Sequence, residues 1–116
     1  NEQGEEVDLV GHAWFMNKNF LRYLWYEEPL SWDNGEDMQL SYLAQKHGGI
    51  KTYVPAHSVN DTSWWSNNPA TATKYANDEN ANGVHVPSHF PLRQKIAHTY
   101  IAAGEWKTVL TRKAAK

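Results

Sequence analysis

Asp33-Asn34-Gly35-Glu36-Asp37-Met38-Gln39-Leu40-Ser41-Tyr42-Leu43 joins a loop rich in aromatic residues to a helical pattern. Asn34 is a suitable N-cap, and Glu36 and Asp37 then fall in the first turn, where carboxylates complement the helix dipole. Met38, Tyr42 and Leu43 follow at helical spacing, and Gly48-Gly49 supplies a stop after Lys46 and His47. A helix is therefore expected over residues 35–47. The acidic pair admits two roles, as a cap or as chemistry, and the rest of the chain bears on the choice.

The chain has 116 residues and a formal net charge of -2, with no cysteine. That size suits one small domain or a piece of a larger one. No basic field argues for nucleic acid or an anionic membrane. Disulfides and thiolate metal sites are excluded, which is compatible with a reducing compartment, and a cytoplasmic location is the expectation. No apolar run approaches the roughly 20 residues that span a bilayer. The chain starts at Asn1 rather than methionine and enters a β-rich run within a few residues, so a segment of something longer is expected. Six Trp and six Tyr exceed the needs of so small a core. Many lie in polar loops, at residues 27–34 and 60–68, where indole faces beside amides and carboxylates suit sugar rings. Packing anchors and partner surfaces are the competing uses of such rings.

Outward from the acidic helix, residues 7–10 and 13–16 read as extended runs on either side of Gly11-His12, where glycine permits a bulge. A short helix is expected over 20–26, capped by Asn17 or Asn19, with Phe20, Leu21, Leu24 and Trp25 turned inward. Residues 50–54 read as a strand ended by Pro55. Residues 58–87 are a long loop rich in Asn, Ser, Thr, Ala and Pro. A last helix is expected over 91–103, with Ser88 as a plausible N-cap and Gly104 as the C-cap. Trp106 then anchors residues 107–110, and the Lys-rich end is expected to fray.

Several residues carry candidate chemistry. Asp37, projecting from the first turn of a rigid helix, is placed to act as a general base towards a sugar hydroxyl, and Glu36 to orient it or bind a donor hydroxyl. Capping remains open for both. His57, just beyond a strand end, is a candidate metal ligand, although one histidine is no metal site and the chain holds no Asp-x-Asp. Arg93 and Lys95 near the last helix start offer charge to a diphosphate, against the simpler account of a solvated helix end. Nucleophile-elbow, P-loop and dinucleotide fingerprints are absent.

Three stretches taken in order carry a resemblance: Val7-Asp8-Leu9-Val10-Gly11-His12-Ala13-Trp14-Phe15, then Asn34-Gly35-Glu36-Asp37-Met38-Gln39-Leu40-Ser41-Tyr42, then Gly48-Gly49-Ile50-Lys51-Thr52-Tyr53-Val54-Pro55-Ala56-His57. Together they resemble the C-terminal half of the GT-A fold in bacterial family-2-like glycosyltransferases. The resemblance covers residues 7–57, and more loosely the 78–81 loop and the final helix. It implies an α/β fold, a partial Rossmann-like sheet of short mixed strands with flanking helices, one edge left open for the missing donor half. It implies one truncated domain segment over residues 1–116, with 58–87 as a loop within it. By the same resemblance Asp37 is the base with Glu36 beside it. The resemblance puts Gly11 and His12 on the substrate side and His57 on the metal and diphosphate; Trp14, Trp32, Gly35 and Trp64 are the further candidates for substrate binding. The implied reaction moves a sugar from a nucleotide-diphospho-sugar to a glycan or other hydroxyl acceptor, with Mn²⁺ or Mg²⁺ on the leaving diphosphate. Inversion by direct displacement is the expected course. The Asp-x-Asp and the N-terminal donor-binding half lie outside these residues, so the metal site is incomplete here and the segment alone is expected to be inactive. The other class of function is a non-catalytic carbohydrate-binding or interaction module that uses the Trp-rich loops, including Trp32, Trp64 and Trp65.

Overall fold

The computed structural model describes residues 2–11, 14–61, 63 and 86–116. They form a mixed α/β arrangement: a short two-stranded sheet, a 3-10 helix and three α-helices. Strands β1 (Glu5–Val7) and β2 (Thr52–Val54) pair antiparallel, with Glu5 opposite Val54 and Val7 opposite Thr52. The 3-10 helix covers Lys18–Trp25, α1 covers Glu36–Gly48, α2 covers His89–Ala102 and α3 covers Val109–Ala114.

Helix α1 is the hub. Asp37, Met38, Gln39, Leu40, Tyr42, Leu43 and Ala44 are all buried, so it is enclosed on more than one side. Its N-cap is Gly35 rather than the expected Asn34. Gly35 sits in the left-handed region at φ 93° and makes no side-chain cap bond. Asp37 takes over that function from inside the helix, its Oδ1 accepting from the Met38 amide at 2.8 Å. The other end uses two glycines for two reasons. Gly49 adopts φ 61°, and the Gly49 and Ile50 amides reach the Gln45 and Ala44 carbonyls; the Gly49 bond is that of a left-handed glycine cap. Gly48 has no room for a side chain, because a Cβ there would lie 2.7 Å from the Tyr23 hydroxyl.

The segment before α1 is helical as expected, but its winding differs. Asn17 caps it, accepting from the Asn19 amide at 3.0 Å. With three residues per turn, Phe20, Tyr23 and Tyr26 stand in one row, and their successive ring centroids are 6.4 and 5.8 Å apart. Tyr23 is therefore the buried residue, while Leu21 and Trp25, expected inside on a 3.6-residue period, face outwards. Buried Gln39 closes this element: its Nε2 donates to the Leu24 carbonyl at 2.7 Å and the Glu27 carbonyl at 3.2 Å.

The core extends from α1 to α2 and the chain beyond it. Tyr42 stacks on Tyr100 at 4.0 Å, and Trp106 meets both rings. Tyr42 donates to Glu105 Oε2 at 2.5 Å, and burial together with that carboxylate pushes its hydroxyl pKa up to about 12. Helix α2 begins at His89, two residues before the expected start, with Pro91 in the first turn where no amide is needed. Ser88 occupies the N-cap without making a side-chain cap bond, and Gly104 follows the helix at φ 74°.

Three further expectations are corrected. Strand pairing stops at Val7, and residues 14–16 form no strand; the Trp14 indole donates to the Val10 carbonyl at 2.6 Å. Ile50 belongs to the helix cap, so β2 begins at Thr52. The Lys-rich end is helical, not frayed: Thr108 caps α3, Asp8 Oδ1 accepts from the Val109 amide at 2.6 Å, and Arg112 pairs with Glu6. Most of the expected 58–87 loop lies outside the described residues.

Candidate functional site at the start of helix α1

The acidic pair divides by geometry. At the first positions of α1, successive side chains point about 100° apart. Asp37 turns inwards and is 5% exposed, whereas Glu36 stays in solvent. Asp37 is held by Arg93 of α2 in a two-pronged ion pair, Nη1 to Oδ1 at 3.0 Å and Nη2 to Oδ2 at 2.8 Å. That carboxylate raises the Arg93 pKa above its ordinary value, against the opposing effect of burial. Nη1 also donates to Asn34 Oδ1 at 3.1 Å, and Asn34 Nδ2 lies 3.0 Å from His89 Nδ1. Loop, α1 and α2 are thus tied at one point. Of the two cations that the α2 start was expected to offer a diphosphate, Arg93 is paired with Asp37.

The two oxygens of Asp37 are not equivalent. Oδ1 accepts from both Met38 N and Arg93 Nη1, and Oδ2 from Arg93 Nη2. Oδ2 also faces Gly11: a Cβ built there would stand 3.6 Å from it. A Cβ at position 11 would be in ordinary van der Waals contact with that oxygen, so Gly11 borders it closely.

On the solvent side, Glu36 lines a cleft of about 280 Å³ with Asp33, Asn34, Gln39 and two indoles. Trp25 and Trp32 stack at 5.6 Å with 17° between their planes and are 61% and 72% exposed. Two large stacked rings left in water beside carboxylate and amide groups form a platform with a polar border. Trp32 was legible in the sequence as a ring in a polar loop. Trp25 was not, because its outward direction follows from the 3-10 winding; the signal was its place only seven residues from Trp32.

The other candidates fall elsewhere. Trp14 lines a second hollow of about 490 Å³, with Val10, Phe15, Met16, Phe20 and Tyr53 among its walls. Gly35 is buried against Ile96, where a Cβ would approach Cδ1 to 2.6 Å. His57 lies past β2, its Nδ1 3.2 Å from the Pro55 carbonyl. Among the described residues no three His, Asp or Glu side chains stand together as a metal site, so these residues do not by themselves fit a divalent cation. His12, Trp64 and Trp65 lie outside the described residues. No helix among the described residues is long and apolar enough to cross a membrane.

No protein-family model matches the chain, and no curated protein or solved structure does so.

Proposed function

We propose that this chain is the acceptor-side segment of a glycosyltransferase of GT-A type, working on a nucleotide-diphospho-sugar, with Asp37 as the base. The observation that carries the proposal is the placement of Asp37 Oδ2 on a rigid helix start, held by Arg93 on one side and bordered by the bare backbone of Gly11 on the other. An acceptor hydroxyl entering beside Gly11 gives its proton to Oδ2 while its oxygen attacks the anomeric carbon. The new C–O bond forms as the bond to the diphosphate breaks, and the nucleoside diphosphate leaves with the electron pair. Arg93 is the positioning residue, fixing the rotamer of Asp37 so that the oxygen, proton and anomeric carbon can line up. A donor-binding half and an Mn²⁺ or Mg²⁺ ion belong to the proposal, but no step here runs through them.

A second function is favoured by a different observation. The exposed Trp25–Trp32 stack suits a carbohydrate-binding module that needs neither nucleotide nor metal.

The deciding experiment is release of nucleoside diphosphate from a panel of nucleotide-sugars with Mn²⁺, using the native-length protein. Asp37→Asn is expected to lower turnover at least about a hundredfold while donor affinity holds. Undiminished turnover in that variant overturns the role of Asp37.

A further inference from the structure

From the cleft beside Glu36 we infer that the acceptor is a saccharide, and that the stacked pair Trp25 and Trp32 is its binding subsite. The inference rests on the transferase proposal above for the word acceptor, and on the cleft alone for the word saccharide.

Hydrophobic surface normally escapes water, yet these two indoles stack on one another and remain 61% and 72% exposed. Their 5.6 Å separation is that of rings in contact, so a ligand meets an outer face of the pair and does not enter between them. A flat indole face selects a flat apolar partner. The border selects further: Asp33, Asn34 and Glu36 supply carboxylate and amide groups around the rings. A pyranose with equatorial hydroxyls meets both demands, because its axial C–H bonds cover the ring while its rim of hydroxyls reaches the border. A lipid chain leaves that border unpaired, and a bare hydroxyl acceptor leaves the rings uncovered. The cleft volume of about 280 Å³ admits a single sugar ring, so the recognised unit is the end of the chain rather than a long tract.

The platform is joined to the chemistry by sequence and by rigid structure. Glu36 in the cleft is adjacent to Asp37, and Asn34 in the cleft shares Arg93 with it. The cleft and the proposed base thus share one helix start, the cleft on its solvent side and Asp37 turned inwards. Gln39, which also lines the cleft, anchors the end of the element that carries Trp25. The backbone that carries Trp25 is thus held to α1, which lowers the ordering cost of binding.

The test titrates the native-length protein with cellotetraose, without nucleotide or metal, following the indole Nε1–H resonances and tryptophan fluorescence. It then asks whether the same saccharide raises nucleoside diphosphate release. Saturable perturbation of two indole signals is expected, lost in Trp25→Ala and weakened about tenfold in Trp32→Ala. Trp32→Phe is expected to recover part of that affinity, and Phe15→Ala, at an exposed ring elsewhere, to leave it unchanged. Maltotetraose and stachyose serve as companion probes of other linkages. If none of the three perturbs an indole, the subsite is overturned, whatever the release assay shows. If an oligosaccharide binds through the indoles but no donor is ever consumed, the subsite stands and the transferase proposal falls. Binding that survives both alanine variants also overturns the assignment.

Discussion

Among the described residues, two hollows with exposed aromatic rings differ in what borders the rings. The cleft at the start of α1 sets Trp25 and Trp32 among Asp33, Asn34, Glu36 and Gln39. The larger groove near β2 gathers Trp14, Phe15, Met16, Phe20 and Tyr53, with Ser41, Lys51 and Thr52 at its margin. Phe15 is 98% exposed there. Exposure of aromatic surface is therefore common to both and says little about a ligand. The difference lies in hydrogen-bonding groups and in what adjoins them. Both are floored by buried residues of α1, Gln39 in the cleft and Leu40 and Ala44 in the groove. The cleft also adjoins the Asp37–Arg93–Asn34 tie, whereas Trp14 bonds only to its own local chain at Val10 among the described residues. Specific recognition needs both a polar border and a stiff support.

The largest break should come from Gly35→Ala. Its φ of 93° is costly for any side chain, and the added methyl would lie 2.6 Å from Ile96 Cδ1. Strain and overpacking together predict a loss of about 3–4 kcal/mol, read as a lower urea midpoint. Because Gly35 caps α1, saccharide binding at the cleft should fall with it; a stability equal to wild type would show that the cap is not rigid.

Arg93→Met comes next. It leaves the carboxylate of Asp37 buried without its cation, and a cost of about 2–3 kcal/mol is expected, smaller than for a fully enclosed pair because Arg93 keeps partial exposure. A double-mutant cycle with Asp37→Asn should give a coupling energy above about 1 kcal/mol. Additive effects would mean that the two sides of the tie do not support one another, and the contrast between cleft and groove would lose its physical basis.

The smallest effect is a pH dependence away from both hollows. Lys46 lies 2.8 Å from Glu27 and 2.9 Å from Glu105. Glu27 is held below the ordinary carboxylate range chiefly by its hydrogen bond to Lys46, and Glu105 chiefly by the Tyr42 hydroxyl and then Lys46. A carboxylate whose pKa is lower folded than unfolded binds fewer protons when folded. Its contribution is present above the unfolded value and fades as pH falls through the folded one. Stability should therefore decline gradually below about pH 4.5. Lys46→Met should flatten that decline in acid melts, with little change at pH 7, since these groups are largely in solvent.

The sequence was informative where a property is local. The α1 signals of first-turn acids, last-turn cations and a double glycine placed the helix within a residue at each end, and Asn17 and Ser88 were found as caps. Trp32 was visible as a ring in polar surroundings. Identity alone hid Trp25, because a 3-10 and an α-helical winding of the same residues expose different faces, and here Tyr23 is the residue that packs inwards, beside Gly48. The ordered tail was equally hidden, since Asp8 and Glu6, which hold α3, are some hundred residues away in the chain.

By itself, then, the sequence determined the start and stop of α1 to within a residue and the presence of two adjacent carboxylates, because capping and dipole effects act within a turn. Only the tertiary structure decided that one carboxylate is buried against Arg93 while its neighbour faces solvent beside two stacked indoles. Adjacent residues on a helix point about 100° apart, and which direction is inside depends on where α2 and the 3-10 helix pack.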